Sequence, residues 1–187
     1  MRVIADILPR ELTGYRAVIA SLIGAGAMAA SANVAVHLPF TPVPVTLQPF
    51  VMLMCGMLLG GRLAALAMLE YLAVGLAGAP VFADFKFGPV AFAGPTAGYL
   101  IGFVPAAYVI GLVVQATRDR SMMSYCVAGI AGIGVLYVSG VAWLSIWGGG
   151  QFHGLRAWMV GAAPFAMLDL VKVALAAIIA SDRSTRT

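Results

Sequence analysis

Long apolar runs alternate along this chain with short polar or proline-rich connectors, and six of the runs are predicted to be membrane helices. The second and third runs hold only about 15 and 16 residues, against the roughly 20 that a perpendicular span needs. Short segments often border a cavity, so the pattern predicts a binding site beside these two runs. The six runs are Tyr15–Val36, Val45–Leu59, Leu63–Gly78, Pro95–Ala116, Met122–Trp147 and Trp158–Ala180.

The composition supports a membrane protein. Of the 187 residues, 62% are hydrophobic and 10% are charged, and the mean hydropathy is +1.00. A soluble domain with so few charges could not cover so much apolar surface, so we predict an all-α membrane protein whose residues 1–187 form a single integral membrane domain. Cys55 and Cys126 lie in apolar runs and are predicted to be buried small residues, not metal ligands. No basic patch indicates a nucleic-acid partner.

Lys and Arg are distributed unevenly between the connectors. With six spans, one side of the membrane receives eight of these residues and the other side receives two, which predicts that both termini are cytoplasmic. The eight are Arg2, Arg10, Arg16, Arg62, Arg118, Arg120, Arg183 and Arg186, and the two are Lys86 and Arg156. The predicted outer connectors, rich in Pro, Gly or aromatic residues, are His37–Pro44, Ala79–Gly94 and Gly148–Ala157.

The first outer connector continues into the second run as HLPFTPVPVTLQP, from His37 to Pro49. Three prolines in six residues, Pro39, Pro42 and Pro44, remove backbone donors and hold the segment extended. A stiff connector of this kind at a membrane surface can cap a cavity.

The last run contains Asp169 and Lys172, whose i, i+3 spacing puts them on one helical face. Both are costly in hydrocarbon unless they face the bundle interior or a wet cavity. They could form a self-neutralising structural pair, or they could bind a ligand that presents N–H and C=O groups side by side. Glu70 is also mid-span, and it either stays neutral or meets Lys172 across the bundle.

The connector Ala79–Gly94 and the start of the fourth helix form a second polar group. Thr96 follows Pro95 at the predicted helix start, where free N–H groups and the helix dipole favour an anion. Lys86 is the nearest outer cation. The alternative is a connector packed for shape, with Asp84 and Lys86 in solvent.

Small residues recur at four-residue spacing in the first run, at Ser21, Ala25 and Ala29. Such a face lets membrane helices approach closely, either within the bundle or against a second membrane protein.

Familiar catalytic motifs do not occur in the sequence. It has no G-x-x-x-x-G-K-[ST] loop, so the chain is not expected to bind ATP by itself, and it has no H-E-x-x-H or G-x-S-x-G motif. We therefore predict a binding protein without a cofactor, and not an enzyme.

Five segments, in order along nearly the whole chain, resemble the BioY family, the biotin-specific substrate-binding (S) components of energy-coupling factor (ECF) transporters. Two of them, LPFTPVPVTLQ and GPTAGYLIGF, are specific. The others are LLGGR, PVFA and the D-x-x-K of Asp169 and Lys172. The resemblance implies a six-transmembrane-helix S-component bundle in the inner membrane of a bacterial cell, which binds biotin near its outer face.

The resemblance also implies roles for individual residues and partners. Asp169 and Lys172 would bind the polar parts of biotin, and Lys86 would meet its valerate carboxylate. The small-residue face of Ser21, Ala25 and Ala29 would dock on the transmembrane coupling subunit, and two ATPase subunits would drive release. The further candidate biotin contacts are Asp84, Thr41, Gln48, Thr96 and Tyr99. Family members often have a Gly-rich or Asn-containing connector between the third and fourth helices. This chain departs from them with Ala83-Asp84-Phe85-Lys86.

Two other functions stay open at this point. The chain could be an S component for thiamine or riboflavin, whose sites would show more aromatic stacking or a different polar set. It could also be a small integral-membrane enzyme or assembly factor.

Overall fold

The computed structural model describes residues 14–117 and 120–185, which form a helical bundle with one small β-hairpin. The hairpin joins the first two helices and consists of β1 (Ala35–Val36) and antiparallel β2 (Val45–Thr46). Two 3-10 turns, Ala83–Phe85 and Pro89–Ala93, lie between the third and fourth helices. The α-helices of the described residues are α1 Tyr15–Ala32, α2 Gln48–Leu59, α3 Gly61–Leu76, α4 Ala97–Thr117, α5 Met122–Trp147, α6 Leu155–Gly161 and α7 Ala163–Thr185.

Four of these helices, α1, α4, α5 and α7, are long and apolar enough to cross a membrane. The other two long segments are shorter: α2 has 12 residues and α3 has 16, about 18 and 24 Å at 1.5 Å per residue, against a hydrocarbon core of roughly 30 Å. Large apolar side chains cover the outward faces, for example Ile23 on α1, Ile130 on α5 and Leu170 on α7. The chain is a helical, multi-pass membrane protein.

Helix α4 occupies the centre of the bundle, where it contacts α2, α3 and α5. Glycines make its contact with α5 close: a Cβ on Gly98 would lie 2.5 Å from the Ser139 carbonyl oxygen, and one on Gly102 would lie 2.8 Å from the Ser139 Cβ. Without side chains at these positions the two helices approach at backbone distance. This close packing fixes the position of the α4 residues that line the site.

A single residue, Gly60, connects α2 to α3. Its φ of 78° and ψ of 165° lie outside the range that other residues adopt readily. Gly111 of α4 packs directly on this turn, because a Cβ there would overlap the backbone of Gly60 and Gly61. The two short helices are thereby held as a rigid pair against α4.

The first two helices are shorter than predicted where they face each other across the hairpin. The first run is predicted to be helical to Val36, but α1 ends at Ala32 and residues 35–36 pair with β2. The second run is predicted to start at Val45, but α2 begins at Gln48. Cross-strand pairing, with a further bond from the Leu47 N–H to the Val34 carbonyl at 3.2 Å, satisfies backbone groups that a helix would otherwise have bonded.

The last apolar run also differs, because it contains two helices. The helix is interrupted at Ala162, whose φ of −123° and ψ of −49° end α6. Pro164 explains the break, since its ring has no N–H and would clash with the carbonyl four residues earlier in a continuous helix. The described residues therefore contain seven α-helices, and the prediction of one continuous helix over Trp158–Ala180 was wrong.

The predicted orientation rests partly on residues beyond the described ranges. Arg2, Arg10, Arg118 and Arg186 lie outside the residues that the structure describes.

Candidate ligand-binding site

A cavity of about 520 Å³ lies at the end of the bundle that carries the β-hairpin, which we call the cavity end. Its walls come from the hairpin, the connector with the 3-10 turns, the first residues of α2, the first turns of α4 and α7, and the middle of α5. This volume is within the roughly 300–1,000 Å³ of small-molecule sites. Segments that are distant in sequence therefore converge on one ligand-sized space.

One polar group of the cavity wall consists of Asp169, Lys172 and Tyr137, which we call the polar floor. Asp169 is only 2% exposed. Its Oδ1 accepts a hydrogen bond from Lys172 Nζ at 2.8 Å, and its Oδ2 accepts one from the Tyr137 hydroxyl at 2.6 Å. Lys172 Nζ also donates to the Thr46 carbonyl of β2 at 2.8 Å, so the floor ties α5, α7 and the hairpin together.

This arrangement allows two charged groups to lie at membrane depth. A buried ion pair is tolerated when additional hydrogen bonds satisfy its remaining donors and acceptors, and here Tyr137 and the Thr46 carbonyl supply them. Capacity for a ligand remains: the ammonium has three N–H groups and two are used, and each carboxylate oxygen keeps a lone pair. The floor can therefore bind a neutral group that presents N–H and C=O side by side.

Gln48, at the start of α2, is a second buried polar residue of the wall and is 4% exposed. Its Nε2 donates to the Tyr71 hydroxyl of α3 at 2.9 Å, and its Oε1 accepts from Thr46 Oγ1 at 3.4 Å. These bonds fix the amide in the wall beside the polar floor.

Apolar and aromatic side chains form most of the remaining wall. Phe82 is 2% exposed and packs edge-on against Tyr71 and Phe92, at centroid distances of 5.4 and 5.7 Å. Gly75 of α3 makes room for it, since a Cβ there would overlap the Phe82 ring. Other apolar side chains of the wall include Val43, Val45, Val90, Leu100, Phe103, Leu136 and Phe165.

Three charged or titratable side chains, His37, Asp84 and Lys86, form a mouth cluster at the cavity entrance. Their side chains are 59%, 38% and 62% exposed, and Asp84 lies 3.3 Å from both His37 Nε2 and Lys86 Nζ. His37 belongs to the hairpin connector and the other two to the connector before α4, so the cluster joins the two segments that cover the cavity. The backbone N–H of Phe85 adds a bond to Asn33 Oδ1 at 3.1 Å.

The backbone of the connector before α4 is strained at the cavity entrance. Asp84 and Phe85 have φ values of 61° and 55°, a left-handed conformation that costs non-glycine residues of order 1–3 kcal/mol each. It turns the chain so that Asp84 meets His37 and the Phe85 N–H meets Asn33.

The start of α4 lies at the cavity wall, where Gly94, Pro95 and Thr96 line the space. Trp143 and Trp147 of α5 hold this segment, with indole Nε1 donating to the Gly94 and Ala93 carbonyls at 2.9 and 2.8 Å. The positive end of the helix dipole is therefore at the cavity, with Lys86 across the entrance.

Tyr99 also lines the cavity, but its hydroxyl bonds elsewhere. It donates to the Gly161 carbonyl at 2.6 Å. That carbonyl is available because α6 ends at this residue and the Phe165 N–H bonds to Ala162 instead. The break between α6 and α7 thus fixes Tyr99 in the wall.

Seven of the eight predicted binding residues line this one cavity: Asp169, Lys172, Asp84, Lys86, Gln48, Thr96 and Tyr99. Thr41 does not line it; its Oγ1 accepts a bond from the Val43 N–H at 3.2 Å within the proline-rich turn. Tyr137 and the Thr46 carbonyl also belong to the site, and the sequence did not predict them. A tyrosine in an apolar run and a backbone carbonyl carry no sequence signal, and their roles depend on contacts across the bundle.

Two of the three residues on the predicted docking face of α1 are buried within the bundle. Ser21 is fully buried and Ala25 is 6% exposed, and Gly24 between them packs within about 3 Å of Ala67 of α3, measured from a Cβ placed on the glycine. Ala29 is half-buried. Ser21 and Ala25 therefore serve close packing within the bundle, and docking of this α1 face on another subunit stays a prediction.

Glu70 of α3 pairs with this face of α1 and not with Lys172. Its Oε1 accepts from Ser21 Oγ at 3.0 Å, and its buried Oε2 has no hydrogen-bond partner among the described residues.

Neither metal binding nor disulfide formation is apparent in residues 14–117 and 120–185. No group of three or more His, Cys, Asp or Glu side chains there could hold a metal ion. Cys55 is a buried free thiol and Cys126 a half-buried one.

A protein-family model, that of the BioY family, matches residues 7–186, nearly the whole sequence. The chain belongs to the BioY family. Curated relatives include the biotin transporter BioY of Thermotoga maritima, which is 41% identical over 78% of this chain and 83% of its own length. A probable biotin transporter BioY of Pyrococcus horikoshii is 39% identical over 74% and 79% of the two chains. The biotin transporter BioY of Rhizobium etli is 33% identical over 77% and 79%.

A solved structure supports the fold of this BioY family member. The 2.1 Å crystal structure of the S-component for biotin from an ECF-type ABC transporter superposes with a TM-score of 0.81. The match covers 93% of this chain and 95% of that one at 22% sequence identity. The chain therefore has the S-component fold.

Proposed function

We propose that this protein is the substrate-binding component of a biotin uptake transporter. The observation that carries the proposal is the buried polar floor of Asp169, Lys172 and Tyr137 in a ligand-sized cavity, in a family whose similar relatives are named biotin transporters. Those names also argue against the enzyme alternative.

The chemistry of the cavity fits the three parts of biotin. The ureido ring presents N–H beside C=O, which complements Asp169 and Lys172. The fused rings and the aliphatic chain would lie against the apolar wall around Phe82 and Phe165. The carboxylate would approach Lys86 and the start of α4, with Gln48 and Thr96 as further wall contacts and Asp84 closing the entrance.

Titration calorimetry on the purified protein tests this proposal with biotin, thiamine and riboflavin as ligands. We expect tight binding of biotin and no binding of the other two vitamins, because a ligand without the ureido group leaves buried donors and acceptors unpaired. Binding of thiamine or riboflavin in the absence of biotin binding would overturn the proposal in favour of another vitamin.

Two variants test the polar floor itself. Asp169→Asn and Lys172→Ala should each weaken biotin binding by about 1–3 kcal/mol or more, since each removes charge-assisted bonds and leaves the other charge unpaired. The matched controls are Asp182→Asn for the acidic residue and Arg62→Ala for the basic one. Both side chains are exposed and lie outside the cavity wall, so these variants should bind biotin as the wild type does. If the floor variants bind like their controls, the charged pair is structural only.

The proposal extends to topology and partners. We place six crossings in the inner membrane of a bacterial cell, with both termini cytoplasmic and the cavity end outside. A transmembrane coupling subunit and two ATPase subunits would drive reorientation and release. The eight-to-two distribution of Lys and Arg supports this orientation. Biotin uptake by cells with and without an ATPase module would show whether the energy-coupling partners are required.

A further inference from the structure

Tyr137 brings a phenol from α5 to a floor otherwise built from α7 and β2. It is half-buried, it lines the cavity, and its hydroxyl lies 2.6 Å from Asp169 Oδ2. It sits ten residues before the end of α5, about 15 Å along the helix axis. A phenol at that depth needs a hydrogen-bond partner, and Asp169 provides it.

The contact controls the orientation of the carboxylate. The terminal torsion of an aspartate is broad and roughly two-fold, so one bond leaves it free to turn. With Lys172 on Oδ1 and Tyr137 on Oδ2, the plane of the Asp169 carboxylate is fixed at both oxygens.

The contact also limits what the carboxylate can accept. A carboxylate with two open oxygens binds two parallel N–H donors, as a guanidinium or amidinium presents them. Here Oδ2 already accepts from Tyr137 and Oδ1 from Lys172, so only one lone pair remains on each oxygen, and the ammonium beside Oδ1 disfavours a second cation.

We propose that Tyr137 is a positioning and specificity residue, which holds Asp169 so that it accepts one neutral N–H while Lys172 donates to the adjacent carbonyl. The inference rests on the proposed binding of biotin, whose ureido group has this donor and acceptor pair. Tyr137 acts through Asp169, so its effect must depend on the presence of the carboxylate.

A double-mutant cycle tests that dependence by calorimetry with biotin. Tyr137→Phe should weaken binding about tenfold, the scale of one charge-assisted hydrogen bond. In the Asp169→Asn background the same change should alter affinity by about twofold or less, because coupled residues are non-additive. A role in packing alone would give the same factor in both backgrounds and would overturn the inference.

Two other tyrosines are matched controls for this cycle. Tyr99 lines the same cavity but donates to Gly161, so the effect of Tyr99→Phe should be independent of Asp169→Asn. Tyr125 is buried earlier on α5 and does not line the cavity, so Tyr125→Phe should keep the wild-type affinity. Thermal unfolding of each variant, measured alongside, identifies any that is misfolded.

A second ligand measures specificity. The biotin analogue with the ureido carbonyl replaced by an imine forms a cyclic guanidinium, and Tyr137→Phe should reduce the preference for biotin over it several-fold by opening Oδ2. An unchanged preference would overturn the specificity role. A wild-type protein that binds no biotin would overturn the proposed function and this inference with it, whereas biotin binding that is insensitive to Tyr137→Phe would overturn the inference alone.

Discussion

Asp169 of α7 and Glu70 of α3 are acidic residues within apolar stretches of their helices, and their surroundings differ. Asp169 accepts hydrogen bonds from Lys172 and Tyr137 and faces the cavity. Glu70 accepts one bond, from Ser21, and its Oε2 has no partner in the described part of the chain. Ser21 has a single hydroxyl proton to donate, and both the Val18 carbonyl oxygen and Glu70 Oε1 lie 3.0 Å from its Oγ. The Glu70 site is therefore poorly supplied with hydrogen-bond donors, and one of its buried oxygens has no compensating bond in the described residues.

This contrast predicts the effect of replacing Glu70. Glu70→Gln should keep or raise the unfolding temperature, because the amide carbonyl still accepts from Ser21 and carries no charge. Ser21→Ala should destabilise the protein by about 1–3 kcal/mol, since it leaves a buried acceptor unpaired. Thermal unfolding in detergent measures both.

Ser145→Ala is the matched control for the serine, because Ser145 Oγ bonds only to the Val141 carbonyl of its own helix in the described structure. It should change stability little. A loss of stability in Glu70→Gln as large as that in Ser21→Ala would show that the carboxylate charge itself is required.

Two connectors cover the cavity, and the contact between His37 and Asp84 joins them. Exposed pairs of this kind contribute up to about 1 kcal/mol. If the pair holds the connectors over bound ligand, His37→Ala should speed biotin dissociation roughly two- to fivefold, with a smaller effect on association. Stopped-flow displacement with excess unlabelled biotin measures the rate.

His153 provides the control for the contact between His37 and Asp84. It is also an exposed histidine in a connector at the cavity end, but it does not line the cavity. His153→Ala should leave the dissociation rate unchanged. Equal rates for the two variants would mean that the connectors close without the mouth cluster.

How much the sequence could predict depends on the range of the interaction concerned. Asp169 and Lys172 are three residues apart on one helix, so their pairing follows from local geometry. The partners Tyr137 and Thr46 come from other elements, and the two-residue strands of the hairpin exist only through pairing with each other. Neither leaves a periodic pattern.

The orientation of α1 shows a second limit, which is specific to membranes. In a soluble helix the polar face marks the solvent side, but here the lipid-facing and core-facing positions are both apolar. Ile23, 67% exposed, and Met28, fully buried, are alike in hydrophobicity. The spacing of Ser21 and Ala25 therefore identified a packing face correctly without showing which neighbour it packs against.

At the scale of the whole molecule, aromatic residues indicate that the cavity end lies at a membrane interface, and basic residues indicate which side it faces. Trp143, Trp147 and Trp158 all belong to elements at the cavity end, and tryptophans concentrate at membrane interfaces. The basic residues concentrate in the connectors of the opposite side, which predicts that the cavity faces out and that both termini face the cytoplasm.

Cysteine labelling in intact cells tests this orientation. In a background with Cys55 and Cys126 replaced by alanine, Gln151→Cys at the cavity end and Thr117→Cys at the far end of α4 form a matched pair, because both positions are exposed. A membrane-impermeant maleimide should label Gln151→Cys in intact cells and should label Thr117→Cys only after the cells are broken. The opposite result would invert the topology and place the cavity in the cytoplasm. Labelling of both positions from outside would contradict a membrane crossing between them, since a single pass through α5 separates the two sites.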